Sequence, residues 1–390
     1  MLCIGGIVIS QLTGIPVYIS AIVIVIISLS YSVNGGLNSI VHTGMIQSIV
    51  LLVISSAIFF LGLYKIGSID KLVNAVPNDY WVLFKPTTDT SYPWHAIVLG
   101  YPVIGVWFWC TEQSIVQRTL AAKNISEGQK GALLVAALKI IMPFIFIVPG
   151  IMCFVLVKDQ IIPALPNPDH AYIAMVYGLL PNGVIGLALG TLLVSIVNDV
   201  ATGLNSFSTV FSMDLYAKKI NPNATPEAVR KMSKKVMVVA AMVATIIAIL
   251  LSLTNKGLFD LGQSLATYLA PPITTVFVIG ILWKRATPKA AELTLYFGTF
   301  FCLVIGFCQL IDFPSKHTWP HFMLLCFYMM VVLMVFMVVV SYLTNHNDYK
   351  VQLISPKEAN NITNTKTAMS IKLMWIAIAV IMFIIYIIFK

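Results

Sequence analysis

Ten apolar runs dominate the chain, at 15–33, 44–66, 94–119, 131–157, 182–212, 236–254, 258–283, 290–312, 321–342 and 371–389. Each is long enough to cross a bilayer, which takes about 17–25 residues. Residues 1–12 make only a partial run before them. Hydrocarbon offers backbone amides no water to bond, so runs of this kind must satisfy their own N–H and C=O groups as helices. The predicted fold class is an all-α membrane protein with about ten full transmembrane helices plus an N-terminal partial helix. The chain is 59% hydrophobic and 10% charged, with a mean hydropathy of +0.91. Soluble domains carry about 25% charged residues. No charged side chain precedes Lys65, so the N-terminus lacks the basic segment that a signal peptide needs.

The charge is distributed by side. Connections at 118–130, 213–235, 284–289 and 343–372 hold sixteen Lys and Arg residues, and the opposite connections hold seven, with Lys139 inside a span. That asymmetry places the first set in the cytoplasm. The net charge of +9 is therefore topological, and no nucleic-acid partner is expected. A multi-pass protein of the plasma membrane, with the lipid bilayer as its surroundings, is the predicted location. Of the six cysteines none forms a CxxC pair, and all sit in apolar runs, where reduced packing residues are expected.

Polar residues inside these runs carry the chemistry. One run holds Trp107, Phe108, Trp109, Glu112, Gln113 and Gln117, and the next holds Lys139, with no other charge from Gly131 to Val157. An ammonium at bilayer depth costs at least about 2.5–3.5 kcal/mol, so it normally faces a cavity or a partner. Aromatic faces beside hydrogen-bonding groups suit a polar solute with a flat apolar side. Gly100, Pro102 and Gly105 are expected to break the first run, and Pro271-Pro272 the run at 258–283. Such breaks free backbone groups where they line a cavity, and in secondary transporters they point to solute and ion sites. Ser195, Asn198, Asp199 and Thr202 recur at helical spacing as one polar stripe. No HExxH, GxSxG or Gly-Lys phosphate-loop pattern is present, and an enzyme is not expected.

The strings "WFWCTEQSIVQRTLAAKNISEGQKG" (107–131), "LNSFSTVFSMDLYAK" (204–218) and "YLAPPITTVFVIGILWKR" (268–285) resemble the sodium/solute symporters, in particular the sodium/glucose cotransporter branch. The resemblance implies a five-plus-five inverted repeat with flanking helices, working by alternating access. On that basis residues 1–66 are a remnant of the first repeat, 94–283 the second repeat and transport core, and 290–390 the flanking helices. "MLCIGGIVISQLTGIP" resembles the end of the first repeat's third helix. The two helices before it are then missing, and the chain as written is expected to give only background uptake.

By position, the resemblance makes Lys139 and Gln263 partners of sugar hydroxyls. Phe108 becomes a stacking residue at the inner gate, where the family usually has tyrosine. Trp109 follows the family, Phe259 matches an outer-gate aromatic, and Gly105 replaces a polar residue that touches sugar in relatives. For the sodium ion, Asn198 and Asp199 stand where relatives usually present two serine hydroxyls, with a backbone carbonyl near Ser195. Gly44, in "VHTGMIQ", stands where several relatives carry an aspartate near a second cation position. We read this as an acid moved from one helix to another that still serves the cation. Two other readings of Asp199 stay open: an ion pair with Lys139, and a protonatable group that makes H⁺ the coupling ion. The implied function is sodium-coupled symport of a sugar-like solute, for which a cyclic polyol or a sugar acid also fits. The rival is a solute-responsive sensor of the same fold. The oligomeric state is unspecified.

Overall fold

In the computed structural model the apolar runs are helices. The structure describes all residues except 90, 253–257, 312, 316–318, 345–364 and 390, and all side chains except these and those of 34, 36–38, 258–261, 310 and 365–368. The expected inner connection at 343–370 thus lies almost wholly outside the described residues. So do Lys256, Lys316, Lys350, Lys357 and Lys390, and the side chain of Lys366. In chain order the helices are α1 (Leu2–Thr13), α2 (Val17–Ile66), α3 (Ile69–Ala75), α4 (Trp94–Val106), α5 (Gln113–Leu120), α6 (Ile125–Met142) and α7 (Val148–Lys158). They continue as α8 (Ala171–Leu179), α9 (Asn182–Val210), α10 (Pro226–Ser252), α11 (Leu258–Leu282), α12 (Pro288–Leu310), α13 (Phe322–Leu343) and α14 (Thr365–Ile388). No strand occurs among the described residues. Nine helices among them are long and apolar enough to cross a membrane, or ten if one bent pair counts as a span. The protein is an all-α, multi-pass membrane protein.

The chain forms two compact units, Met1–Asn78 with Ile141–Leu258, and Asp79–Ile140 with Phe259–Lys390. Helices of the expected second repeat, 94–283, are shared between both. In the first unit α1 ends on Gly14, whose φ of 72° returns its N–H to the Ser10 carbonyl. Pro16 then opens α2, and the two axes meet at 115°. The predicted spans 15–33 and 44–66 join in one 50-residue helix. That helix is not straight. Ser28 Oγ donates to the Val197 carbonyl at 3.0 Å, and a Cβ on Gly44 would lie 2.9 Å from Asn198 Nδ2. A straight helix would set Ser28 and Gly44 about 24 Å apart, yet both meet α9 at the same level. The helix therefore turns sharply between them; Ser39–Ile66 passes as a span on its own, and Val17–Val33 only together with Leu2–Thr13. At one end of this unit Lys71 of α3 pairs with Asp159 at 3.0 Å, and Lys158 reaches the Ala75 carbonyl at 3.4 Å. The charge pattern set Lys71 and Lys158 on one side, and here both serve the contact between α3 and the end of α7.

In the second unit, the proline breaks differ from expectation. α11 runs unbroken through Pro271 and Pro272. Its flanks explain this, because neighbouring helices re-satisfy freed backbone groups. Ala270 is buried with Val103, Ile104 and Cys326, while Thr274 Oγ1 donates to the Val103 carbonyl at 2.9 Å and Thr275 Oγ1 to the Met330 carbonyl at 3.5 Å. α4 likewise continues through Pro102, and its interruption falls later, at Glu112. Lipid tails are as apolar as leucine, so helices associate here through close packing and interhelical hydrogen bonds. Gly100 is the tightest case. A Cβ there would lie 2.0 Å from the Met323 carbonyl oxygen on α13.

Backbone cannot yield as a side chain can, so Gly100→Ala must force α4 and α13 apart. We expect it to cost about 1–3 kcal/mol, as overpacking does, read as a lower melting temperature in detergent. Gly105→Ala meets nothing within 4 Å and is expected to cause no loss. Equal melting of the two variants would refute the close approach.

Candidate functional site

The aromatic site is built on a change of helical pitch. After Val106 the chain takes π geometry over Trp107–Thr111, closed by the Glu112 N–H on the Trp107 carbonyl at 3.0 Å. Thr111 Oγ1 donates to the same carbonyl at 2.7 Å. A π turn fits an extra residue into the coil and recurs at functional sites. Here it presents Phe108 and Trp109 outward together, 36% and 43% exposed, with their rings edge to face at 5.1 Å. Glu112 then leaves the helix with ψ 120°. Its carboxylate accepts the Ser114 N–H at 2.8 Å, the Ile115 N–H at 3.3 Å and the Ser114 hydroxyl. An anionic cap of this kind satisfies the orphan donors at the start of α5 and favours its dipole.

Lys139 of α6 completes this group. Its side chain is exposed, and its ammonium stands 5.6 Å from the centroid of the Trp109 ring. A cation over an indole face is stabilised by about 0.5–2 kcal/mol, more as water is excluded. α11 adjoins the same region, since Ala266 and Trp107 both pack on the Val103, Ile104 and Ala270 cluster. Gln263 is half-buried one turn before Ala266, on the same face of α11. The structure thus brings Trp109 and Lys139 into contact and sets Gln263 on the helix face next to α4. The Phe259 side chain lies outside the described residues. No group of three or more His, Cys, Asp or Glu side chains that could hold a metal ion occurs among the described residues.

The cation candidates lie in the first unit, on α9. Ser195 Oγ donates to the Thr191 carbonyl at 2.8 Å, which leaves its lone pairs as acceptors. Asn198 is 4% exposed, and its Oδ1 is buried without a hydrogen-bond partner. Its amide nitrogen fills the space beside Gly44. Asp199, next in sequence, is exposed and interacts electrostatically with the α-amino group of Met1. Thr202 Oγ1 donates to the Asn198 carbonyl at 2.7 Å.

Three residues were missed by sequence reasoning. Ser28 and Ser32 tie α2 to α9, donating to the carbonyls of Val197 at 3.0 Å and Ala201 at 3.4 Å. Their four-residue spacing was visible, but their partners were not. Gln47 stands one turn beyond Gly44 on the same face of α2, and its Oε1 is likewise buried without a partner. Two orphaned amide oxygens, from Asn198 and Gln47, therefore belong to the packed pair α2–α9. Hard cations take oxygen ligands, and carbonyl-type oxygens serve alongside carboxylates.

The profile of the sodium:solute symporter family matches residues 1–298, which include every candidate named above. The chain belongs to this family. It is 30% identical to sodium/myo-inositol cotransporter 2 of Oryctolagus cuniculus over 348 residues, covering 80% of the chain and 51% of that protein. Against sodium/glucose cotransporter 1 of Ovis aries the identity is 28% over 338 residues, covering 78% and 50%. The chain thus spans about half the length of the curated relatives it matches. Its fold is that of a Na⁺-coupled sialic acid symporter solved in a substrate-bound outward-open state, with a TM-score of 0.72 and 20% identity, over 88% of the chain and 71% of that structure.

A buried polar atom without a partner leaves a clear mark on stability. Removing a hydrogen-bonded amide costs about 1–3 kcal/mol, whereas replacing an unpaired one by an apolar group of similar size is neutral or stabilising. Asn198→Leu is therefore expected to melt no lower than the parent in sodium-free, choline-based medium. A clear drop in melting temperature there would show that the Asn198 amide is held by a partner.

Proposed function

We propose that this chain forms the core of a secondary transporter that couples sodium to the movement of a sugar-like solute by alternating access at the plasma membrane. The observation that carries the reading is the Lys139 ammonium over the Trp109 ring beside an interrupted helix. An indole offers a flat apolar surface, and an ammonium offers three donors. A pyranose or cyclic polyol has the matching halves, a face of C–H groups and a rim of hydroxyls. Gln263 adds both a donor and an acceptor. Relatives named for myo-inositol and glucose support this solute class. Transport, not catalysis, is the activity we assign.

For the coupling ion we propose Asn198 and Asp199, with Ser195 nearby on the same stripe. The amide contributes a neutral oxygen, and the carboxylate contributes the negative charge that serine hydroxyls do not. Gly44 leaves the room that the Asn198 amide occupies, which supports the idea that the acid has moved from α2 to α9. One sodium ion crossing 100 mV releases about 2.3 kcal/mol, enough for a solute gradient of roughly fifty-fold.

Binding tests the two halves separately. Sodium is expected to raise the melting temperature of the purified protein, as any ligand of the folded state does. Asn198→Leu and Asp199→Asn should each abolish that shift. A proton on Asp199 removes the charge the cation needs, so the sodium effect is expected to weaken as pH falls and to lose its pH dependence in Asp199→Asn. A sodium shift that survives both substitutions overturns the cation assignment.

For the solute, affinities for myo-inositol, glucose and sialic acid are to be measured in sodium. Gln263→Leu and Lys139→Met should each weaken the preferred solute by about 1–3 kcal/mol, the cost of an unsatisfied partner. Unchanged affinity in both variants refutes the site. Uptake into proteoliposomes under a sodium gradient separates transport from sensing: binding with solute-evoked current but no uptake would favour the sensor.

A further inference from the structure

The start of α10 carries more positive charge than topology requires, and carries it on one face. Arg230, Lys231, Lys234 and Lys235 recur at the one- and four-residue spacing that makes a single helical stripe. Packing flanks the stripe: Ser233 Oγ donates to Ser208 Oγ on α9 at 3.3 Å, and Met237, seven residues after Arg230, is buried beside its edge. Lys218 and Lys219 lie just before, at the end of the π-helical segment Phe211–Ile220 that continues α9. Local acids neutralise only part of this charge. Asp214 pairs with Lys218 at 2.6 Å and Glu227 with Lys231 at 3.1 Å. Lys219, Arg230, Lys234 and Lys235 have no acidic partner among the described residues.

Depth adds the second argument. α10 is a candidate span of 27 residues, Pro226–Ser252. At 1.5 Å per residue it is about 40 Å long, against a hydrocarbon thickness of about 30 Å. Roughly two turns must therefore stand at headgroup level, and the polar first turns, with the stripe, are the ones that fit there. Charge that only sets topology works from any position in a connection, because the bias is counted over the whole loop. Gathering it on one face, with Arg230, Lys231 and Lys235 exposed and Lys234 half-buried, at the height of lipid phosphates, is a further step. Clusters of four or more Lys and Arg beside a span suit anionic lipid headgroups.

We propose that Arg230, Lys234 and Lys235, with Lys219 of the adjoining segment, form a surface that binds the headgroups of anionic phospholipids. The guanidinium matches phosphate oxygens in a fork, and the lysines act as mobile point charges around it.

The test uses the full chain in nanodiscs of phosphatidylcholine with spin-labelled phosphatidylglycerol or spin-labelled phosphatidylcholine. Both faces of a nanodisc have one composition, so a change of insertion direction does not alter the readout. The motionally restricted fraction is expected to favour phosphatidylglycerol by about fivefold. In Arg230→Gln/Lys234→Gln/Lys235→Gln that preference should fall close to unity. Lys123→Gln/Lys130→Gln/Lys289→Gln removes the same formal charge elsewhere and should keep it. No preference in the parent, or an equal loss in both variants, overturns the proposal, the latter by showing diffuse charge and not a surface. Displacement of the lipid by inorganic phosphate at equal concentration would also overturn it, by making the site one for free phosphate.

Discussion

The backbone amide in hydrocarbon governs this protein. Each unpaired N–H or C=O at membrane depth costs several kcal/mol. Wherever the helical ladder changes pitch or stops, another group therefore has to take over. At Trp107 the freed carbonyl receives the Glu112 N–H and the Thr111 hydroxyl together. At Glu112, where the helix stops, the side chain covers the donors of Ser114 and Ile115. The solute candidates stand where the backbone leaves ordinary helix, and the local side chains make that departure tolerable.

The same economy joins the helices. Within each unit, hydroxyls reach across to backbone carbonyls of a neighbour: Ser28 and Ser32 from α2 to α9, Thr274 from α11 to α4, and Thr275 from α11 to α13. Small residues let these bonds form. Gly100 admits the Met323 carbonyl, and Ala270 lies between α4 and α13. In a solvent as apolar as the side chains, close approach and polar contacts provide the cohesion that water provides for a soluble core. That is why two adjacent prolines leave α11 intact: the helix is held from its flanks.

On α9 the polar stripe is divided by what each residue faces. Asn198 turns into the packing with α2, where the missing side chain of Gly44 makes room and its amide oxygen is left unpaired. Asp199, one position on, is exposed and stands within electrostatic reach of the Met1 amine. Two neighbouring polar residues thus meet different environments because a helix turns by about 100° between them. A buried neutral oxygen and an accessible carboxylate are the complementary contributions that the proposed cation site calls for.

The apolar runs, the side bias of the lysines and arginines, and the strings around Trp107 and Leu204 were enough to establish a helical membrane protein of this family, because each is a local property of the chain. The cost of Lys139 inside an apolar run was equally legible, since it depends on composition alone. What the sequence could not say is what Lys139 meets. Its contact with Trp109 joins two helices across a turn, and only packing selects it. The bend of α2 escaped for the same reason: residues 34–43 read as a gap between spans, and Ser28 and Gly44 show the turn only by meeting α9 together. Gln47 and the pairing of Gly44 with Asn198 were invisible for want of a partner helix. The proline motif misled because a proline's effect on a helix depends on neighbours that the sequence does not reveal. Local pattern set what each segment is. Tertiary structure decided which polar atoms are shared, since a hydrogen bond or an orphaned oxygen is a property of two segments at once.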